Sequence, residues 1–474
     1  MAVFRLPVGA GLCLFVVAVA LALLTPHLPN TAPLAAWPGT LFFLLMALGA
    51  LAWLVLARRL LDGGQALLTA GLVLGFVLRL ILLPAPAIFE DDYQRYLWDG
   101  AVTAAGLNPY THAPADIHAT AFGADYFTAL TRADQAETPA IAARRALAAD
   151  PAATLTQIAY PSVRTIYPPL AQAAFALAHW LEPYSLTAWR LVLLTAEIAT
   201  VLLGLGVLRR AGQPGALVLL YWLHPLVLKE AVNSAHMDAL LPPLLLGFVW
   251  LMSCGRRVGG GAVLAAAAAV KLWPILLLPA LAAGARDRAS RRQALIAAAG
   301  AGALALVMVL PQIIALSETS GLSVYARSWQ TNALLFPLGV EALSLLLPDD
   351  QAGLAMRLLV ALAVSGLALM LARLPDAAPE TLARGCALVI AALLLLGPTA
   401  YPWYALWLMP FVLLWRHPAL WLMTLVLPLY YLRFPLSEEE LSALFQWLVV
   451  PAQVGPVLAG LMLWRPVRPL SVHA

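Results

Sequence analysis

Glu90, Asp91 and Asp92 stand in a row within FEDDYQRYLWDGAVTAAGLNPY, with Arg95 and Asp99 close behind, and the stretch follows directly on the apolar run GLVLGFVLRLILLPAPA. Ionisable side chains are expensive beside a lipid-soluble segment and are kept there for a purpose more often than as a solvated edge. Carboxylates so placed can take up a proton from a reacting group. Polar and aromatic residues of matching kind recur downstream: Tyr167, Pro168 and Pro169; His224, Lys229, Asn233, His236 and Asp238; Lys271 and Trp273; Arg327, Trp329 and Asn332; and Tyr401, Trp403 and Tyr404. Lys271, in VKLWPI, has the most apolar surroundings. A buried ammonium costs several kcal/mol unless paired, and a phosphate is the partner that suits it. Read as structure alone, the tryptophans and tyrosines are interfacial belt residues, and His224 and His236 are satisfied structural histidines. No HExxH, paired Cys/His spacing or GxxxxGK[ST] loop is present to suggest a zinc or nucleotide site.

The elements that must position these residues follow from composition. With 62% hydrophobic and 11% charged residues over 474 positions, the chain lies outside the range of soluble domains and reads as an all-α polytopic membrane protein. Apolar runs of about 17–25 residues suit helices crossing a hydrocarbon core of about 30 Å. Blocks of Leu, Ala and Val do not alternate as the strands of a barrel would. The net charge of +4 rests on arginine, since lysine occurs only at Lys229 and Lys271. That bias suits inner-face loops and not a nucleic-acid partner. Cys13, Cys254 and Cys386 fall in or beside apolar segments and read as packing residues rather than a disulfide framework.

Doubled arginines tag the inner face. The N-terminal run could pass for a signal peptide, but the charge count requires a retained first helix with Arg5 inside. Helices near 8–25, 39–57 and 66–84 then put Arg58 and Arg59 inside and segment 85–187 outside. TIYPPLAQAAFALAHWL is too short to cross and should lie along the outer surface. Helices near 188–208, 214–230 and 237–254 leave NSAHMD outside. The run 258–283 has arginines at both ends, so it should be a hairpin of two short helices turning at Lys271 to Pro274, where proline disfavours helix. Spans near 294–315 and 353–373 follow, then a second hairpin with GPTAYPWYALW at its tip, and spans near 418–432 and 444–464 that leave Arg465 and Arg468 inside. This gives about 14 transmembrane helices (range about 11–14) with both termini inside. Residues 1–474 form a single integral membrane domain, and 85–187 is a long extracytoplasmic loop carrying juxtamembrane helices after the third helix.

The ordered series EDDYQRYLWDG, GLNPY, TIYPPLAQ, LHPLVLKEAVNSAHMDAL, VKLWPILLLP and YPWYALWLMP resembles the polyprenyl-phosphate-sugar-dependent glycosyltransferases of the GT-C superfamily. It is most similar to the glycosyltransferase 87 type and to the catalytic subunit of GPI mannosyltransferase I, from about Arg79 to Pro410. The resemblance implies an inverting enzyme of the bacterial inner membrane. A sugar, mannose, would pass from a polyprenyl phosphate to a lipid- or glycan-linked acceptor at the extracytoplasmic face. It implies a catalytic base among Asp91, Asp92 and Glu90: an Asp-Asp form of the motif selects Asp91 and Asp92, an Asp-x-Asp form selects Glu90 and Asp92, and Asp91 is the base expected here. Lys271, with Arg95 or His236, would hold the donor phosphate, and Tyr167, Asn233, Trp273, Arg327 and Tyr401 would line the substrates. The resemblance fixes no cofactor with certainty, and a divalent metal is left open. The rival is a lipid or sugar transporter or flippase, which should carry ionisable groups near the bilayer midplane in matched broken helices. Here they gather at one face.

Overall fold

The computed structural model describes residues 2–28, 36–62, 65–117, 138–436 and 439–463. The Arg5 side chain, Arg465 and Arg468 lie outside what is described, as does part of the 85–187 loop. Most of the described residues are helical, and one isolated bridge, Thr331 with Thr399, ties two loops together.

Among the described residues seven helices are long and apolar enough to cross a membrane: Val8–His27, Pro38–Leu61, Leu186–Arg210, Arg288–Ile314, Asp349–Arg373, Pro379–Leu396 and Leu441–Leu463. A bent pair, Gly215–Trp222 and Pro225–Asn233, makes an eighth if taken as one span. The expected count of about 14 is not reproduced. It treated short apolar helices such as Leu68–Leu82, Met237–Ser253, Arg257–Val270 and Trp273–Ala282 as full crossings. These have 10–17 residues, fewer than any of the seven helices above.

The bend of 51° in the pair has a chemical cause. Pro225 has no N–H and disfavours helix at His224. The His224 Nδ1 accepts from Leu226 N (3.2 Å), so the carbonyls just before the break lose their usual donors. They find others: Trp53 Nε1 donates to Leu220 O (3.0 Å) and Arg79 to Trp222 O (2.9 Å). Arg79 also donates to Gly75 O (2.9 Å), forms a two-pronged ion pair with Glu197 (2.9 and 2.7 Å), and lies 3.3 Å from the Trp222 ring centroid. Beyond the break the chain winds as a π-helix from Leu228 to Asn233, then reverses at Ala235 (φ 57°). Single π-turns concentrate at functional sites.

The run after Arg256 folds back as its charges require. Helix Arg257–Val270 ends at Lys271, a 3-10 segment Trp273–Ala282 returns, and the Arg257 guanidinium donates to Leu281 O and Ala283 O (2.9 Å for the latter). The foot of one leg therefore touches the foot of the other, with Lys271 at the tip. On the loop side, helix Asp92–Ala104 packs along helix Pro169–Leu181. Gly100 permits the approach, since a Cβ there would lie 2.5 Å from Phe175 O.

Candidate active site

The acids sit on a loop that three side chains hold in place. Arg190, from helix Leu186–Arg210, donates to Leu83 O and Ala85 O (2.7 Å each) and to Asn233 O. Asn233 accepts from Ile88 N (2.9 Å) and donates to Pro86 O (2.8 Å). Phe89 adopts a left-handed backbone (φ 56°), and its ring stacks on Phe434 and Tyr431. A non-glycine residue held there costs on the order of 1–3 kcal/mol, and the surrounding rings maintain it. Three consecutive carboxylates then fan out in different directions.

Glu90 turns inward. Its Oε1 accepts from Tyr431 Oη (2.7 Å) and lies 3.8 Å from Lys229 Nζ, while Oε2 lies 3.7 Å from His236 Nε2. Glu230 joins the same cluster, 3.5 Å from Lys229 Nζ, 3.4 Å from His236 Nε2, and accepting from Tyr431 (3.0 and 3.1 Å). The Lys229 ammonium also donates to Tyr431 Oη and lies 3.8 Å from that ring's centroid. Burial alone would raise Glu90, but the His236 and Lys229 cations beside it bring its carboxyl below the ordinary value. In the turn Ser234–His236, burial opposes a charge on His236, and Glu90 and Glu230 more than reverse this, lifting the imidazole to about 9. It is an imidazolium at neutral pH, stacked on Trp403 at 4.0 Å.

Asp91 and Asp92 face outward. Asp92 keeps 32% of its side chain exposed, with Oδ2 lying 3.8 Å from His236 Nδ1 and accepting from Tyr96 Oη (3.4 Å). Asp91 stands at the N-cap position of helix Asp92–Ala104 yet caps no amide, although aspartate is among the best residues for that task. Partial burial, then the Asp92 and Glu90 charges, push its carboxyl up to about 7. Burial raises Asp92 to about 6, against the pull of His236 and with the push of Glu90.

Lys271 lies on the adjoining wall. Its ammonium donates to Asp238 Oδ1 (2.7 Å) and sits over the Tyr404 and Trp407 rings (4.3 and 4.8 Å), and its side chain is 23% exposed. Asp238 also accepts from Trp407 Nε1. Trp273 stacks on Trp407 at 5.2 Å, its indole N–H unpartnered. Tyr401 stacks on Trp403 at 4.3 Å and accepts from Trp329 Nε1 (2.8 Å). The bridge at Thr331 and the bond from Asn332 Nδ2 to Ala400 O (2.7 Å) hold that tip against the loop carrying Trp329.

Thus Glu90, Asp91, Asp92, His236, Lys271, Trp273 and Tyr401 come together. Tyr167 meets the cluster at the edge of Tyr96, at 5.1 Å. Asn233 clamps the acid loop. Arg95 turns away from the triad to Asp99 (3.1 Å) and Val163 O (2.7 Å), and Arg327 is exposed. His224 is buried, paired with Thr424 (3.1 Å). Sequence reasoning did not single out Glu230, Tyr431, Arg190 or Glu197. Glu197 and Glu230 were marked by being charges within apolar runs; Tyr431 carried no such mark. Glu90, Glu230 and His236 offer metal-type ligand atoms within 4.8 Å of one another. The Lys229 ammonium already serves both carboxylates, so a divalent ion would have to displace it.

The family profile of glycosyltransferase family 87 matches residues 165–399. The chain belongs to that family. It is a multi-pass membrane glycosyltransferase, taking a sugar from a donor to an acceptor. No curated protein and no solved structure matched the chain. The matched region of the glycosyltransferase holds Asn233, His236, Asp238 and Lys271, and the acid triad precedes it.

Proposed function

We propose that this enzyme is an inverting glycosyltransferase that moves a hexose, mannose on the present reading, from a polyprenyl phosphate to a lipid- or glycan-linked acceptor at the outer face of the bacterial inner membrane. The observation that carries the reading is the pairing of two outward carboxylates with the partly exposed Lys271 ammonium and the buried His236 imidazolium behind them. In the reaction the acceptor oxygen bonds to the anomeric carbon as the bond to the donor phosphate oxygen breaks, and that electron pair leaves with the phosphate. Attack opposite the leaving group inverts the centre. Asp91 takes the acceptor proton: it is only partly buried, caps nothing, and has a carboxyl pushed to about 7, which suits a base at neutral pH. Lys271 and His236 supply fixed positive charge where the phosphate gains negative charge. Tyr401, Trp403 and Trp273 offer flat surfaces for sugar and isoprenoid. Asp92, 3.8 Å from His236, positions the imidazolium.

Purified enzyme in detergent, given polyprenyl-phosphate [14C]mannose and a lipid extract, should yield a labelled acceptor and free polyprenyl phosphate, and a nucleotide sugar should yield none. Transfer from the nucleotide sugar alone would overturn the proposal.

A further inference from the structure

The geometry points to a binding site for an anionic phospholipid at the end of the molecule opposite the acids. A cleft of about 730 Å³ opens between the returning leg Trp273–Ala282, helix Arg288–Ile314 and the end of helix Asp349–Met370. That volume is in the range of small-ligand pockets, about 300–1,000 Å³. Its walls are apolar, with Leu278, Leu295 and Leu369 prominent, and three arginines, Arg286, Arg291 and Arg373, stand at it. Leu295 and Leu369 are 71% and 65% exposed, so the cleft opens sideways onto the surface that meets lipid.

The arginines are not consumed by the fold. Arg286 gives one bond to Pro375 O (3.2 Å) and Arg291 one to Ala285 O (3.4 Å), out of five N–H donors each. Of the nearby acids Asp287 is engaged locally, and Asp376 is capped by its own loop while also facing the Arg286 charge. Asp287 accepts from Ser290 N (2.8 Å) and Ser290 Oγ (3.0 Å), and Asp376 from Ala378 N (3.0 Å). Three guanidinium groups over a greasy slot match a phosphodiester above acyl chains, the pattern by which basic pockets between membrane helices hold anionic headgroups. A free phosphate would leave the apolar walls uncovered. The arginine-rich end is also the inner face under the positive-inside rule, where anionic lipid supplies the matching charge. A bound lipid would wedge the hairpin foot against its neighbours and so steady the tip that carries Lys271.

Native mass spectrometry and thermal melting of the whole enzyme in detergent test this, with phosphatidylglycerol, phosphatidylcholine and glycerol 3-phosphate as separate probes. Phosphatidylglycerol should form adducts and raise the Tm, and the other two should do neither. The triple variant Arg286→Gln/Arg291→Gln/Arg373→Gln should bind phosphatidylglycerol at least tenfold more weakly. Leu295→Trp, at an exposed position that leaves the charges intact, should also weaken it by blocking the slot. Equal phosphatidylglycerol binding by wild type and Leu295→Trp would overturn the site, as would equal stabilisation by phosphatidylcholine. Competition by glycerol 3-phosphate at equal strength would overturn the lipid assignment in favour of an anion site.

Discussion

Glu90, Asp91 and Asp92 are chemically near-identical and are made different by what surrounds them. Glu90 is held as a carboxylate by cations on either side, whereas Asp91 and Asp92 are raised to about 7 and about 6. A base works only when deprotonated. A folded-state value raised above the usual carboxylate range therefore means that activity is lost as pH falls through it. We expect kcat/KM to drop about tenfold per pH unit below about 6 and to level off above about 7. It should fall again above about 9 as His236 gives up its proton. A pH–rate profile flat from 5 to 8 would contradict this assignment. His236→Gln should erase the alkaline limb, and Lys271→Met should lower transfer at least tenfold while leaving Tm within a few degrees. Loss of Tm with normal turnover would make Lys271 structural.

The helices around the broken span explain why the acids stay where they are. Arg79 and Glu197 form a pair with side chains only 1% exposed. Removing one member of such a pair costs about 3–5 kcal/mol because the other is left charged and unpaired. Arg79→Met and Glu197→Gln should each lower stability by that order in denaturant melts. The double variant should recover part of it, though not the bond to Trp222 O. Asn233→Ala should leave the fold intact but loosen the acid loop, lowering kcat about 10- to 100-fold with little change in KM, since a misplacement of about 1 Å suffices for that. The hairpin at Lys271 was legible because arginines flank the run and Pro274 interrupts it. The Arg79–Glu197 pair was not, because its two members lie 118 residues apart and no local pattern links them.

On the scale of the whole molecule, the polytopic class was plain from composition, but the number of crossings was not. A short apolar helix that stops mid-membrane and a full span share the same residues, and only length and packing separate them. The proposed facing of the ends, with the doubled arginines inside, is open to direct test. Single cysteines at Ala142 and Arg209, both exposed, placed in a background lacking Cys13, Cys254 and Cys386, should label from the outer and the inner side respectively. The reverse pattern would invert the map. The clustering of Glu90, Asp91, Asp92, His236 and Lys271 was visible as a series of motifs, yet two of the partners around them, Glu230 and Tyr431, emerge only from the fold. The most direct test of the account is the single-turnover rate of sugar transfer from a polyprenyl-phosphate sugar by wild type, Glu90→Gln, Asp91→Asn and Asp92→Asn reconstituted in vesicles. Asp91→Asn should fall by at least about 100-fold, within the range typical of losing a general base, with a Tm close to wild type and a smaller loss for Asp92→Asn. Near wild-type rates in all three amide variants would contradict it.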